Sequence, residues 1–348
     1  MFFKKDYQIM LIIALTIWSI WLIVLGWLNA FEILIEYWKI AVTMLFGSII
    51  AGGSSLGGGA VAFPVLTKIL HINPYQAKVF SLAIQSVGMS AASLAIIMTG
   101  VKVEWRVIFW ASIGGFIGII SGSVFLAPLL PPDVIKITFT IMLTSIALTL
   151  IALNRRNRIC NCFVPIWRIQ EKIIFFSFGV FGGIMSGLAG NGIDCLTFSV
   201  MVLLFRINEK IATPTSVILM AINSLIGFFI ISVTLNSFTA EVYSYWLAAI
   251  PVVVLGAPLG AILCSRLNRQ TIANILVCLI FIELISSLLL IPLRPIAIYC
   301  SLSMLILFSY VNYKMYSNHF YENVQFNLKF GTDKLRVTSK KCIDNSSL

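Results

Sequence analysis

The sequence predicts an all-α polytopic membrane protein built from two inverted-topology repeats. Each repeat is a glycine-broken re-entrant hairpin followed by three transmembrane helices, and one extra helix stands at each end. Three observations predict this. Apolar stretches of bilayer-spanning length, roughly 20 residues, recur along the whole chain. A glycine-broken apolar segment occurs twice at constant spacing. Basic residues segregate into alternate loops.

Hydrophobic residues make up 59% of the chain and charged residues 11%, with a mean hydropathy of +1.00. A soluble core of this size would need a more charged surface. The start, MFFKKDYQ, leads into an apolar run reaching Leu28. That run is too long for a signal peptide and no small-residue cleavage site follows it, so residues 1–30 read as a retained first helix. Eight continuous apolar segments stand out, at about 8–28, 79–100, 107–130, 134–153, 211–235, 244–265, 271–291 and 296–313. Two further segments, about 40–70 and 173–205, are interrupted by glycine. Each is too long for one helix and short for two.

The two broken segments are copies. The first reads AGGSSLGGGAVAFP at 51–64 and the second SGLAGNGIDCLTFS at 186–199. Aligned without a gap, the copies pair Gly52 with Gly187, Gly57 with Gly192, Phe63 with Phe198, Ile72-Asn73 with Ile207-Asn208, and Ser81 with Ser216. Repeat 1 then covers 40–153 and repeat 2 covers 173–291. A basic loop lies between them at 154–172, a last helix follows at 296–313, and a polar tail closes the chain at 314–348. The tail reads as a solvated segment held near anionic lipid.

Charge decides how the broken segments cross. If both return to the side they entered, only Lys39, Lys68, Lys78, Lys136 and Arg294 of the 24 basic residues lie outside. If both cross once, the Arg155–Lys172 loop and the basic tail fall on opposite sides. Basic residues favour the cytoplasm, so returning hairpins with cytoplasmic N- and C-termini are expected. The two repeats then run antiparallel in the membrane.

A non-helical glycine run at membrane depth must be buried in protein or line a cavity, because its backbone groups need partners. In each copy a shorter helix restarts near Ala60 or Cys195. Its free N–H groups and positive dipole end face the break. Two such ends meeting across a pseudo-twofold axis suit a small anion. The candidate substrate-binding residues are Ser54, Ser55, Gly57, Gly58 and Gly59 in the first break, and Gly190, Asn191 and Gly192 in the second. Ser81 with Gln85, and Ser216 with Asn223, lie on shared helix faces and would line the same cavity. Interhelical hydrogen bonding explains each of these four singly as well. Close helix packing accounts for Gly114, Gly115, Gly118, Gly122, Gly256 and Gly260. It accounts poorly for three glycines in succession.

Two interior carboxylates stand out. Asp194 lies in the second break and Glu283 in mid-span, where an ionisable group is a functional candidate. Asp194 reads as a helix cap or as the carrier of a coupling proton. Glu283 reads as a coupling site, as one half of a buried pair with a base, or as a neutral hydrogen-bonding acid. Lys68 would draw anions toward the break or snorkel to the interface. The seven cysteines are scattered. Cys160 and Cys162 have no second pair at zinc-ligand spacing, so reduced thiols and no metal site are expected.

The run Gly57-Gly58-Gly59-Ala60-Val61-Ala62-Phe63-Pro64, with Ala77–Ser81 and the long span after it, resembles the first repeat of the TauE/SafE family. The resemblance covers about 40–291. It implies a bacterial inner-membrane transporter of sulfite, organosulfonates or related sulfur and carboxylate anions, without a cofactor. The second repeat departs from the pattern, with Asn191-Gly192-Ile193-Asp194 for further glycines and Ser199 for the proline.

The function expected is secondary transport of a small anion by alternating access, with proton coupling at Asp194 or Glu283. The rival is a passive anion channel with two re-entrant loops. It would lack the paired Asn-Pro-Ala motif of water channels, and Asp194 would be awkward in an open anion pore. No catalytic residues are expected, because His71 and His319 fall in no nucleophile–base pattern. The expected partners are the anion and the lipid bilayer, and a homo-oligomer is compatible with the sequence. The net charge of +11 follows from topology, so nucleic-acid binding is not supported.

Overall fold

The computed structural model describes residues 2–57, 65–155, 160–235, 237–290 and 295–317. They are helical throughout, with no strand among them and a single bridge between Asn161 and Ile207. Eight of the described helices are long and apolar enough to cross a membrane.

In chain order, α1 is Phe2–Leu25 and α2 Trp27–Glu36. Gly26, at φ 73°, separates them, so the single first helix expected over 1–30 is broken there and its second part runs on to Glu36. The first broken segment supplies α3, Trp38–Gly53, and a π-helical turn at Val65–Ile69. Then come α4 (Pro74–Met98), α5 (Trp105–Ile120) and α6 (Pro132–Asn154). The second broken segment supplies α7 (Ile169–Ala189), α8 (Ile193–Ser199) and a π-helical turn at Val200–Leu204. The chain continues through α9 (Glu209–Phe229), α10 (Ala240–Arg266), α11 (Arg269–Leu290) and α12 (Pro295–Ser317).

Local structure recurs at the spacing of the sequence repeat. Gly57 and Gly192 both take positive φ, and so do His71 and Arg206. The two π-helical turns match residue for residue. Asn73 caps α4 by accepting from Tyr75 N–H, as Asn208 caps α9 by accepting from Lys210 N–H. The Ile72 N–H donates to the Leu66 carbonyl and the Ile207 N–H to the Met201 carbonyl, both at 2.9 Å. These shared features explain the matched Ile-Asn pairs: the asparagine satisfies an otherwise orphaned N–H at the start of the next helix.

Packing follows the same exchange. The helix α3 lies on α10, and its repeat counterpart α7 lies on α5, the counterpart of α10. Likewise α4 packs on α10 and α9 on α5, while α4 meets α9 and α6 meets α11. Glycine makes the closest of these contacts. Gly52 abuts the Ala257 backbone and Gly260 the Ile49 carbonyl. On the other side, Gly118 abuts the Val180 carbonyl and the Gly183 Cα, and Gly122 abuts Ile184. Helices in lipid gain by such backbone approach, since apolar side chains lose nothing by facing lipid tails. The extra helix α1 fastens to α10: the Trp21 indole N–H donates to the Leu247 carbonyl at 3.0 Å. That carbonyl is available because Pro251, four residues on, has no N–H to offer it.

The Gly52 contact yields a stability prediction. Gly52→Leu would press a side chain into backbone atoms that cannot rotate away, so α3 and α10 must part. A loss of about 3 kcal/mol or more is expected. Thermal unfolding in detergent would read it as a large drop in Tm or as lost folded protein. Gly100→Ala is the control, with open space around it but a φ of 71°, at a cost of about 1 kcal/mol. Equal unfolding temperatures for the two variants would refute the packing argument.

Among the described cysteines, Cys195, Cys264 and Cys278 are free thiols, whereas Cys162 is disulfide-bonded. The expectation of reduced thiols throughout therefore fails at Cys162.

Candidate functional site

The two breaks touch. Asn191 Nδ2 donates to the Leu56 carbonyl at 2.9 Å, and Cys195 Sγ donates to the Ser55 carbonyl at 2.8 Å. Ser54, Ser55, Leu56, Asn191, Asp194 and Cys195 are all buried. Gly57 stands beside Asn191 and Met220: a Cβ there would lie 3.3 Å from Asn191 Nδ2 and 2.6 Å from Met220 Cε. Gly58, Gly59 and the side chain of Lys68 lie outside the described residues.

The second break owes its shape to glycine. Gly190 ends α7 at φ 91° and Gly192 precedes α8 at φ 152°, conformations that side chains resist. The chain then folds back along α7. The Ile193 N–H donates to Ser186 Oγ at 3.1 Å, and Ile193 sits against Gly182. By Phe205 it has returned to the level of Phe175, where the two rings stack 5.0 Å apart.

Asp194 Oδ1 accepts the Gly192 N–H at 3.1 Å, while its Oδ2 has no hydrogen-bond partner among the described residues. Asp194 is the second residue of α8 and reaches back to the N–H of the residue before the helix, as the acid of a capping box does, while Gly192 itself offers no side-chain cap. Two N–H groups of the second break are thus already satisfied by the protein, Gly192 by Asp194 and Ile193 by Ser186.

The flanking polar residues fall around the second break on two sides. Ser81 Oγ accepts from Gln85 Nε2 at 2.7 Å, and a Cβ on Gly190 would come within 3.4 Å of Ser81 Cβ. Asn223 lies near Gly115 and Ile193. Gln85 Oε1 and Asn223 Oδ1 have no partner among the described residues. Ser216 instead bonds back to the Thr213 carbonyl at 2.8 Å within its own helix.

Glu283 is apart from this cluster. It forms an ion pair with Lys136 of α6 and accepts from Ser287 Oγ at 3.2 Å, while Thr140 Oγ1 donates to Ser287 Oγ at 2.9 Å. The pair ties α6 to α11, the last helix of each repeat.

Charged groups gather at the two ends of the bundle. Asn161 N–H donates to the Arg206 carbonyl, Arg106 pairs with Glu104, and Arg269 Nη1 donates to Cys160 Sγ at 2.9 Å. At the other end, Lys78 and Lys136 line one cavity with Tyr75.

A family model described as Sulfite exporter TauE/SafE matches residues 40–286, well over half of the chain. The chain belongs to the TauE/SafE family. It is thus a multi-pass membrane transporter of a sulfite-exporter family. No curated protein and no solved structure matches it.

Three residues of the candidate site in this TauE/SafE protein escape sequence reasoning. Cys195 bridges the breaks rather than filling an apolar span, Ser186 satisfies the start of α8, and Met220 covers Gly57. The only hint was positional, since Met220 is the repeat partner of Gln85.

Proposed function

We propose that this TauE/SafE protein is a secondary carrier of a small anion, sulfite or a related sulfur or carboxylate anion, working by alternating access. The observation that carries the reading is the meeting of the two breaks through Asn191–Leu56 and Cys195–Ser55. Broken helices paired across a repeat interface are the build of secondary carriers. The recurring local structure and the exchanged packing support two repeats in inverted orientation. The return of the chain from Phe175 to Phe205 supports a re-entrant second hairpin.

Substrate would bind between the breaks, among Ser54, Ser55, Gly57–Gly59, Ser81, Gln85, Gly190–Gly192, Ser216 and Asn223. Asp194 supplies the coupling. Its carboxylate holds the Gly192 N–H as a resident anion would. A proton arriving with the substrate neutralises the acid, which releases that donor to a substrate oxygen. When proton and anion leave on the far side, the carboxylate takes the donor back. One proton and one anion then cross together. The ion pair of Glu283 with Lys136 favours Asp194 for this role.

The protein would lie in a bacterial inner membrane with both termini cytoplasmic, which keeps the Arg106, Arg206 and Arg269 end inside. The Cys162 disulfide pulls the other way.

Uptake of sulfite, thiosulfate, sulfoacetate and acetate into proteoliposomes, with and without a pH gradient, tests the reading. Saturable flux driven by the gradient is expected. Unsaturable flux indifferent to the gradient would instead indicate the passive channel. Absence of flux for the whole panel would overturn the anion class.

A further inference from the structure

Lys78 stands near the start of α4 and is only 8% exposed. Among the described residues its ammonium has neither an ion pair nor a hydrogen bond, and its nearest aromatic partner is the Tyr75 ring, centred 6.0 Å away. It lines a cavity of about 80 Å³ together with Tyr75, Leu130, Lys136, Leu188 and Ala189. The two lysines differ: Glu283 balances Lys136, and nothing described balances Lys78. A buried, uncompensated charge is costly, so a counterion from outside the protein is the economical solution. The cavity has room for about three waters or one small oxyanion.

Its position matters as much as its charge. Leu188 and Ala189 form the end of α7 just before Gly190, and a Cβ on Gly190 would lie 3.6 Å from the Lys78 carbonyl. The cavity therefore abuts the second break. At the opposite end, a cavity of about 10 Å³ is lined by Gly52, Lys210, Thr213 and Ser265. Its lining is repeat-equivalent: Lys210 corresponds to Tyr75, Thr213 to Lys78, and Ser265 to Leu130. Each mouth thus has one lysine from the first turns of α4 or α9, and in this conformation only the Lys78 mouth has room for an anion.

We infer that Lys78 is an anion-capture site, holding a small oxyanion at the open mouth before it passes to the second break. The inference rests on the anion-carrier reading for its role in transport, but not for binding itself. A lysine ammonium is a compact point charge with three donors, so it would select charge and size more than shape.

The test combines anion-dependent thermal stabilisation in detergent, with sulfite as the probe, and sulfite flux in proteoliposomes. It compares wild type with Lys78→Met and Lys78→Arg. Met keeps the stem and removes the unpaired charge, so the ligand-free unfolding temperature should hold or rise. The sulfite-dependent rise should vanish, and the half-saturation concentration for flux should increase about tenfold or more. Arg should keep both within about threefold. If wild type shows no flux but a sulfite-dependent rise that Met abolishes, the capture site stands and the carrier reading falls. If Met keeps the wild-type half-saturation, or wild type shows no sulfite-dependent rise, the capture site is overturned.

Discussion

Replacing Gly57 with valine is expected to abolish anion flux while leaving the protein inserted and folded. The residue sits at φ 67°, where a β-branched side chain is strained by about 1–3 kcal/mol. Its new Cβ would lie 2.6 Å from Met220 Cε, which can swing aside, and 3.3 Å from Asn191 Nδ2, which cannot without losing the Leu56 carbonyl. The strain is affordable for a bundle of this size, but the register of the two breaks is not preserved. A displacement of about 1 Å at a binding centre is enough for a loss near a hundredfold. Proteoliposome flux, beside size-exclusion behaviour in detergent, reads both halves of the expectation. Wild-type flux in the variant would remove the first break from the transport path.

Asp194→Asn should uncouple flux from protons. Asparagine keeps an acceptor for the Gly192 N–H, at a stability cost of about 1 kcal/mol or less, but it cannot take up or release a proton. Sulfite flux should persist down its own gradient, and the component driven by an inward proton gradient should fall about tenfold or more. An unchanged response to the gradient would return Asp194 to the role of a helix cap. Glu283→Gln would then be the next variant, with the complication that it leaves Lys136 without its present partner.

Much of this molecule is legible along the chain, and the reason is that the legible features are local. The Gly57 and Gly192 positions and the Asn73 and Asn208 caps each depend on a few neighbouring residues. Two stretches with matching residues at those places adopt matching turns. Hydropathy likewise reports span length, because a helix in lipid must carry apolar side chains for its whole crossing. Helix ends were less legible: α7 begins at Ile169, inside the expected basic loop, because Glu171 accepts the Arg168 N–H at 2.7 Å and caps it.

What the sequence by itself determined, then, was a membrane bundle with two copies of a broken segment, and the family to which such copies belong. Only the tertiary structure decided what faces what. Lys136 and Glu283 are 147 residues apart and meet because α6 packs on α11. Asn191 reaches Leu56, and Cys195 reaches Ser55, because the breaks abut. Lys78, counted from sequence only as one basic residue among several, is buried without a counter-charge among the described residues because α4 and the end of α7 close over its stem. Spacing along a helix reports which residues share a face. It carries no information on the partner across the gap, and in lipid, where apolar burial does not rank the faces, that partner is chosen by backbone approach at glycine and by the pairing of the few polar groups.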